Sequence, residues 1–202
     1  MDARQAARNL EVIRTLMERT CQYQLLTARA GLAAGSLAGA GAIAFFFLDP
    51  ESAWQFGITW ALVFFGSLLS ATISIILRGR QRGERVWSRP ARAVLLALAP
   101  SVFAAMAFSV FFFARGEHLW LPGVWMLCYG QGALATSAYA PSPIRWLGLA
   151  VLLLGCLTVW LGTGWAILMM GLVFGLGHVG LGTALLVSER RENTIRLHRE
   201  VA

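Results

Sequence analysis

Polarity along this chain changes on a coarse scale. A mixed segment comes first, and six apolar runs follow, separated by short polar interruptions. The runs cover about 30–48, 53–77, 93–114, 119–140, 144–161 and 165–187. A helix rises ~1.5 Å per residue, so a bilayer core of ~30 Å needs about 20 residues. The first four runs and the last meet that length, and 144–161 is the short one. The interruptions are brief: "DPES", an arginine-rich stretch over 78–92, "RGEH", "APSPIR" and "GTG". Pro122, Pro141 and Pro143 fall at run ends, where they are expected to terminate helices, and Pro100 inside the third run is expected to kink it.

Residues 2 to 27 follow a different period. At ~100° per residue, Ala6, Leu10, Ile13 and Met17 share one face, flanked by Val12 and Leu16. Arg4, Arg8, Glu11, Glu18 and Gln22 gather on the other. This segment is too charged to cross a bilayer and suits a helix lying on its surface. It contains no unbroken apolar stretch of the kind a secretory leader needs. The pattern as a whole predicts an all-α integral membrane protein. Residues 1–28 form a cytoplasmic amphipathic interfacial helix, 29–188 a six-span helix bundle, and 189–202 a basic cytoplasmic tail.

Composition supports the bilayer. The chain is 57% hydrophobic and 13% charged, with a mean hydropathy of +0.64. Soluble domains carry about 25% charged residues, so this chain lacks the polar surface to face water throughout. The net charge is +7, and every basic residue is an arginine. Numbering alternate sides of six crossings puts the N-terminal segment, 78–92, 141–145 and the tail from Ser188 together, with every arginine except Arg115. The other side holds Asp49, Glu51, Glu117 and Arg115. Such a bias over short connections marks the arginine-rich side as cytoplasmic, with both termini inside. Trp54, Trp120, Trp160 and Trp165 fall near the expected outer interface, and Trp87 and Trp146 near the inner one, as an aromatic belt requires. The expected home is a cell inner membrane. Arg78, Arg80, Arg82, Arg85, Arg89 and Arg92 are expected to meet anionic lipid headgroups, each gaining ~1 kcal/mol there, rather than nucleic acid.

Candidate chemistry is sparse. No Asp, Glu or Arg lies in the middle of a run, which argues against ion-coupled transport. His178, in "FGLGHVGLG", is 13 residues into the sixth run, and Gln131, beside Tyr129, is 12 residues into the fourth from the same side. The depths match, so His178, Gln131 and Tyr129 form a candidate midplane polar site. It is either a solute or ion site or an interhelical hydrogen bond contributing ~1 kcal/mol or less, and the second reading is preferred. Ser67, Ser70 and Ser74 share a helical face in the second run, where they line a polar path or allow close packing. Gly31, Gly35 and Gly39 repeat every fourth residue, and Gly171 and Gly175 do so in the last run. Small residues at this period let backbones approach closely, within one bundle or across a homodimer seam on the first span.

"GLGHVGLG" resembles the histidine–glycine span of rhomboid proteases, but no GxSG motif is present and Ser137 lies near the opposite face. A histidine without a serine at its depth has no nucleophile to activate. The chain has no HExxH, paired intramembrane aspartates, P-loop or CxxCH, and Cys21, Cys128 and Cys156 have no metal-site spacing and read as reduced thiols. No catalytic residue, metal or cofactor is expected. Two function classes remain. The slightly favoured one is a non-enzymatic regulator or scaffold subunit that binds a cytosolic protein partner through its cytoplasmic face. The alternative is a small-solute permease or channel with a midplane site near Gln131 and His178.

Overall fold

The computed structural model describes Gln5, residues 27–45, Phe47, residues 52–83 and residues 85–201, with the backbone alone for 191–201. The expected surface helix over 2 to 27, Cys21 included, therefore lies outside the described residues except for Gln5 and Thr27. Seven α-helices are described: α1 (Ala28–Phe45), α2 (Ala53–Arg82), α3 (Arg89–Ala114), α4 (Leu121–Thr136), α5 (Ser142–Leu161), α6 (Ala166–Met170) and α7 (Gly177–Val201). One 3-10 turn, His118–Trp120, leads into α4, and another, Thr163–Trp165, leads into α6. A π-helical segment, Gly171–Leu176, joins α6 to α7. No strand occurs among the described residues.

Among the described residues, five stretches are long and apolar enough to cross a membrane: Ala28–Phe45, Ala53–Arg82, Arg89–Ala114, Ser142–Leu161 and Thr163–Arg190. This is compatible with a multi-pass membrane protein. The expected lengths are inverted at one place. α5 has 20 residues, whereas α4, from the run that looked ample, has 16. The fourth run loses its first residues to the 3-10 turn and its last to a turn closed by the Tyr139 amide on the Thr136 carbonyl.

Local chemistry explains the ends. The Oγ1 of Thr27 accepts from the Ala30 amide at 3.1 Å at the start of α1. Ser52 and Ser88 act likewise for α2 and α3, accepting from Gln55 and Ala91, each at 3.4 Å. These oxygens occupy first-turn amides that have no partner within the helix. α2 stops at Gly83, whose φ of +65° suits a residue without a Cβ. Pro122 and Pro143 stand in the first turns of α4 and α5 and Pro141 caps α5, so these prolines start helices rather than end them. A missing amide proton has no consequence there. α3 continues through Pro100.

The arginine-rich connection and the basic tail are largely helical. Within 78–92, α2 runs to Arg82 and α3 begins at Arg89, leaving 83–88 as the connection. The tail expected from residue 189 continues α7 to Val201.

The helices pack in the order α2–α1–α7–α5–α4–α3, with the π segment and α6 filling between α1 and α4. α1 and α7 touch through glycines. A Cβ on Gly35 would lie 2.6 Å from both the Gly175 carbonyl oxygen and the Val179 nitrogen, and one on Gly182 would lie 2.6 Å from the Leu32 nitrogen. α4 and α5 do the same. A Cβ on Gly130 would sit 2.7 Å from the Leu152 nitrogen, and one on Gly155 2.9 Å from the Met126 Cβ. Consecutive in the chain, α2 and α3 approach at one end, where Phe113 faces Gly57. There Phe56, fully buried, is the hub of an aromatic cluster with Phe45, Trp60, Phe113, His118 and Trp125. At the other end Arg78 of α2 pairs with Glu189 of α7. Elsewhere these two helices face outward: Leu62 is 69% exposed and Phe103 75%, and no residue in the most apolar stretch of α3 is buried. Water would not tolerate that much continuous apolar surface, whereas lipid would.

Candidate functional site

His178 follows the π segment by two residues. A π turn moves the hydrogen-bond ladder back by one residue, as the Gly177 amide shows by bonding to the Leu172 carbonyl. The Nδ1 of His178 lies 3.0 Å from the Phe174 carbonyl oxygen, which can only accept, so Nδ1 carries the proton. In the neutral ring Nε2 is then an acceptor. The Tyr129 hydroxyl, 2.7 Å away, donates to it. Phe174 closes the group, edge-on to Tyr129 at 5.4 Å and stacked with His178 at 6.0 Å. One side chain from α4 is thereby tied to α7 and to the π segment, and both ring nitrogens are engaged within the protein.

Gln131 does not join them. Two residues along a helix turn the side chain by ~200°, so Gln131 leaves α4 on nearly the opposite side from Tyr129. Its neighbours set its direction. Gly130 abuts Leu152 of α5 and Gly132 abuts Leu98 and Ser101 of α3, so Gln131 emerges between α3 and α5, where it is exposed. Of the three candidate residues the structure brings together Tyr129 and His178.

Ser67, Ser70 and Ser74 lie half-buried along one face of α2. The backbone-bonding role appears instead at Thr72, Ser109, Thr158 and Thr183, each donating to the carbonyl four residues earlier. Among the glycines, Gly31 and Gly35 sit where α1 meets α7 and the π segment, and from that segment Gly175 meets Gly35 and Gly39 and Gly171 meets Ala42. A Cβ on Gly175 would lie 3.3 Å from the Gly39 Cα, but Gly39 has open space where its own Cβ would stand. The face of α1 that offers a close approach is thus occupied by this chain's own last helix. Of the arginines assigned to headgroups, Arg78 is in the ion pair with Glu189 instead, while Arg80, Arg82, Arg85, Arg89 and Arg92 are exposed.

His118, at the start of the 3-10 turn, is 4% exposed and lies in the aromatic cluster, stacked with Phe113 at 6.2 Å and tilted against Phe56 at 5.3 Å. The signal was present in the sequence: His118, Trp125 and Tyr129 fall at intervals of seven and four, one helical face. Trp125 on that face donates through Nε1 to the Ser109 Oγ at 2.8 Å. Beside this cluster a cleft of about 450 Å³ is lined by Ala53, Trp54, Gly57, Ile58, Ala61 and Phe113. Its walls carry no group that titrates, and neither Tyr129 nor His178 lines it. Among the described residues no three His, Cys, Asp or Glu side chains gather to hold a metal ion, and Cys128 and Cys156 are free thiols. Comparison with known families, curated proteins and solved structures finds no match to this chain.

Proposed function

We propose that this chain crosses a bacterial-type inner membrane six times, with the arginine-rich ends of α2 and α3 and both termini in the cytoplasm. There it serves as a non-enzymatic scaffold subunit that presents its cytoplasmic face to a protein partner. The crossing beyond the five long stretches is the His118–Thr136 segment, the fourth along the chain. One 3-10 turn at ~2.0 Å per residue plus the 16 residues of α4 at ~1.5 Å give about 30 Å, the thickness of the hydrocarbon core. The observation that carries the scaffold reading is that the polar pair joining α4 to α7 is closed on itself. Tyr129 and His178 satisfy each other and the Phe174 carbonyl, and the apolar cleft lies apart from them. A solute would have to break these bonds to use them. The stretch over 78–92, by contrast, carries five exposed arginines, and beside it a helix extends α7 to Val201, braced at its base by Arg78–Glu189.

The permease reading draws on one observation, an ionisable side chain enclosed within the bundle. A photo-crosslinker placed at Arg85 in living cells separates the two. The scaffold reading expects one discrete protein adduct, lost when Arg80, Arg82 and Arg89 are changed to Glu with the crosslinker still at 85 and membrane insertion kept. Crosslinks to lipid alone, together with solute flux in proteoliposomes that His178→Phe abolishes without unfolding the protein, would establish the permease instead.

A further inference from the structure

Gln131 has no role in the bundle, and its surroundings make that costly. It is exposed between α3 and α5, and no side-chain hydrogen bond from it is present among the described residues. Its depth follows from the α4–α5 register. Gly130 lies beside Leu152 and Gly148 beside Ala133, so Gln131 is level with Val151. That position is six residues from Arg145, or ~9 Å along the axis into the hydrocarbon. From His118, at the other end of the segment, it is 13 residues, or ~20 Å. Arginine and lysine stems are long enough to carry a polar head back to the interface, and the glutamine stem is not. An amide left bare in hydrocarbon costs several kcal/mol, so it needs a partner in the membrane.

We propose that the α4 face carrying Gln131 is a two-fold self-association surface, on which the amide of one copy pairs with the same amide of a second. A carboxamide both donates and accepts. Across a two-fold axis one residue type therefore satisfies itself reciprocally, and no second sequence is needed to complement it. Exposed Ala135, one turn further along α4, continues the same face, and its small side chain lets a second helix come close. The close-approach face of α1, the other candidate for a dimer, is already filled by α7. The proposal rests on the six-crossing reading, because the amide lacks water only if α4 lies in the bilayer.

The test uses the full chain in native membranes, with Cys21, Cys128 and Cys156 replaced by Ser and single cysteines introduced. Under mild oxidation Gln131→Cys is expected to give a disulfide-linked dimer, while Leu62→Cys, on the exposed face of α2, gives none. An impermeant maleimide is expected to leave Gln131→Cys unlabelled. In the chain with its natural cysteines, Gln131→Leu raises the dimer dissociation constant about tenfold in lipid, as the loss of reciprocal interhelical hydrogen bonds implies. Because this side chain is exposed, the variant folds normally, which a thermal midpoint equal to that of the parent verifies. Labelling by the maleimide would overturn the crossing and the interface together. Protection without a dimer, equal crosslinking at Leu62→Cys, or a crosslink to a different polypeptide would overturn the interface alone.

Discussion

Gly35 and Gly39 are one turn apart on α1 and belong to the same four-residue repeat, yet the structure gives them opposite responses to a methyl group. A Cβ on Gly35 would sit 2.6 Å from two atoms of the α7 side, both backbone, and 2.8 Å from the Val179 Cγ2. Ordinary contact begins near 3.4 Å, so α1 and α7 must part by ~0.8 Å, and backbone cannot swing aside as a side-chain tip can. Overpacking of this kind costs ~1–3 kcal/mol, and the gain in helix propensity from Gly to Ala returns ~0.5–1 kcal/mol. Gly35→Ala is therefore expected to destabilise by about 1–2 kcal/mol. Gly39→Ala meets nothing within 4 Å and retains the propensity gain, so it is expected to be neutral or to stabilise by up to ~1 kcal/mol. At ~2–4 °C per kcal/mol for a chain of this size, the two variants should differ by several degrees in thermal midpoint, measured side by side in one detergent. Equal midpoints would refute the close contact between α1 and α7. So would two stable variants that differ from the parent only in oligomeric state, because the repeat would then face another molecule.

Two further outcomes follow from the pairs that cross the bundle. Tyr129→Phe removes the donor to His178 Nε2 and is expected to cost ~1 kcal/mol, with a shift of the Nε2 resonance of His178 in nitrogen NMR. An unchanged resonance would show that the two side chains do not meet. For Arg78–Glu189, removing both charges with Arg78→Gln and Glu189→Gln should cost less than the sum of the single changes, leaving a coupling of about 1 kcal/mol that weakens in high salt. Additive effects would mean that the tail helix is not braced at this point.

What was legible in the sequence follows from properties that each residue carries alone. Hydropathy and periodicity place apolar runs in helices because every backbone group in lipid must bond within its own segment, whatever the neighbours are. The length of a run is therefore readable, but its ends depend on turns. The turn at His118–Trp120 shortened the fourth run, and Ser52, Ser88 and Gly83 set the limits of α2 and α3. Depth was readable too, since rise per residue is constant, and Tyr129 and His178 do meet. Direction was not. Gln131 has the right depth and the wrong azimuth, a difference of two residues that becomes half a turn once α4 is held between α3 and α5. The glycines of the first run announced a close approach without naming the partner, and Gly130, Gly148 and Gly155, spaced less regularly, announced nothing until α4 and α5 were laid together. The same holds for charge: whether Arg78 meets a headgroup or Glu189 depends on which helix stands next to it. Contacts between distant segments belong to pairs of residues, and a linear chain records the members of each pair without recording that they are paired.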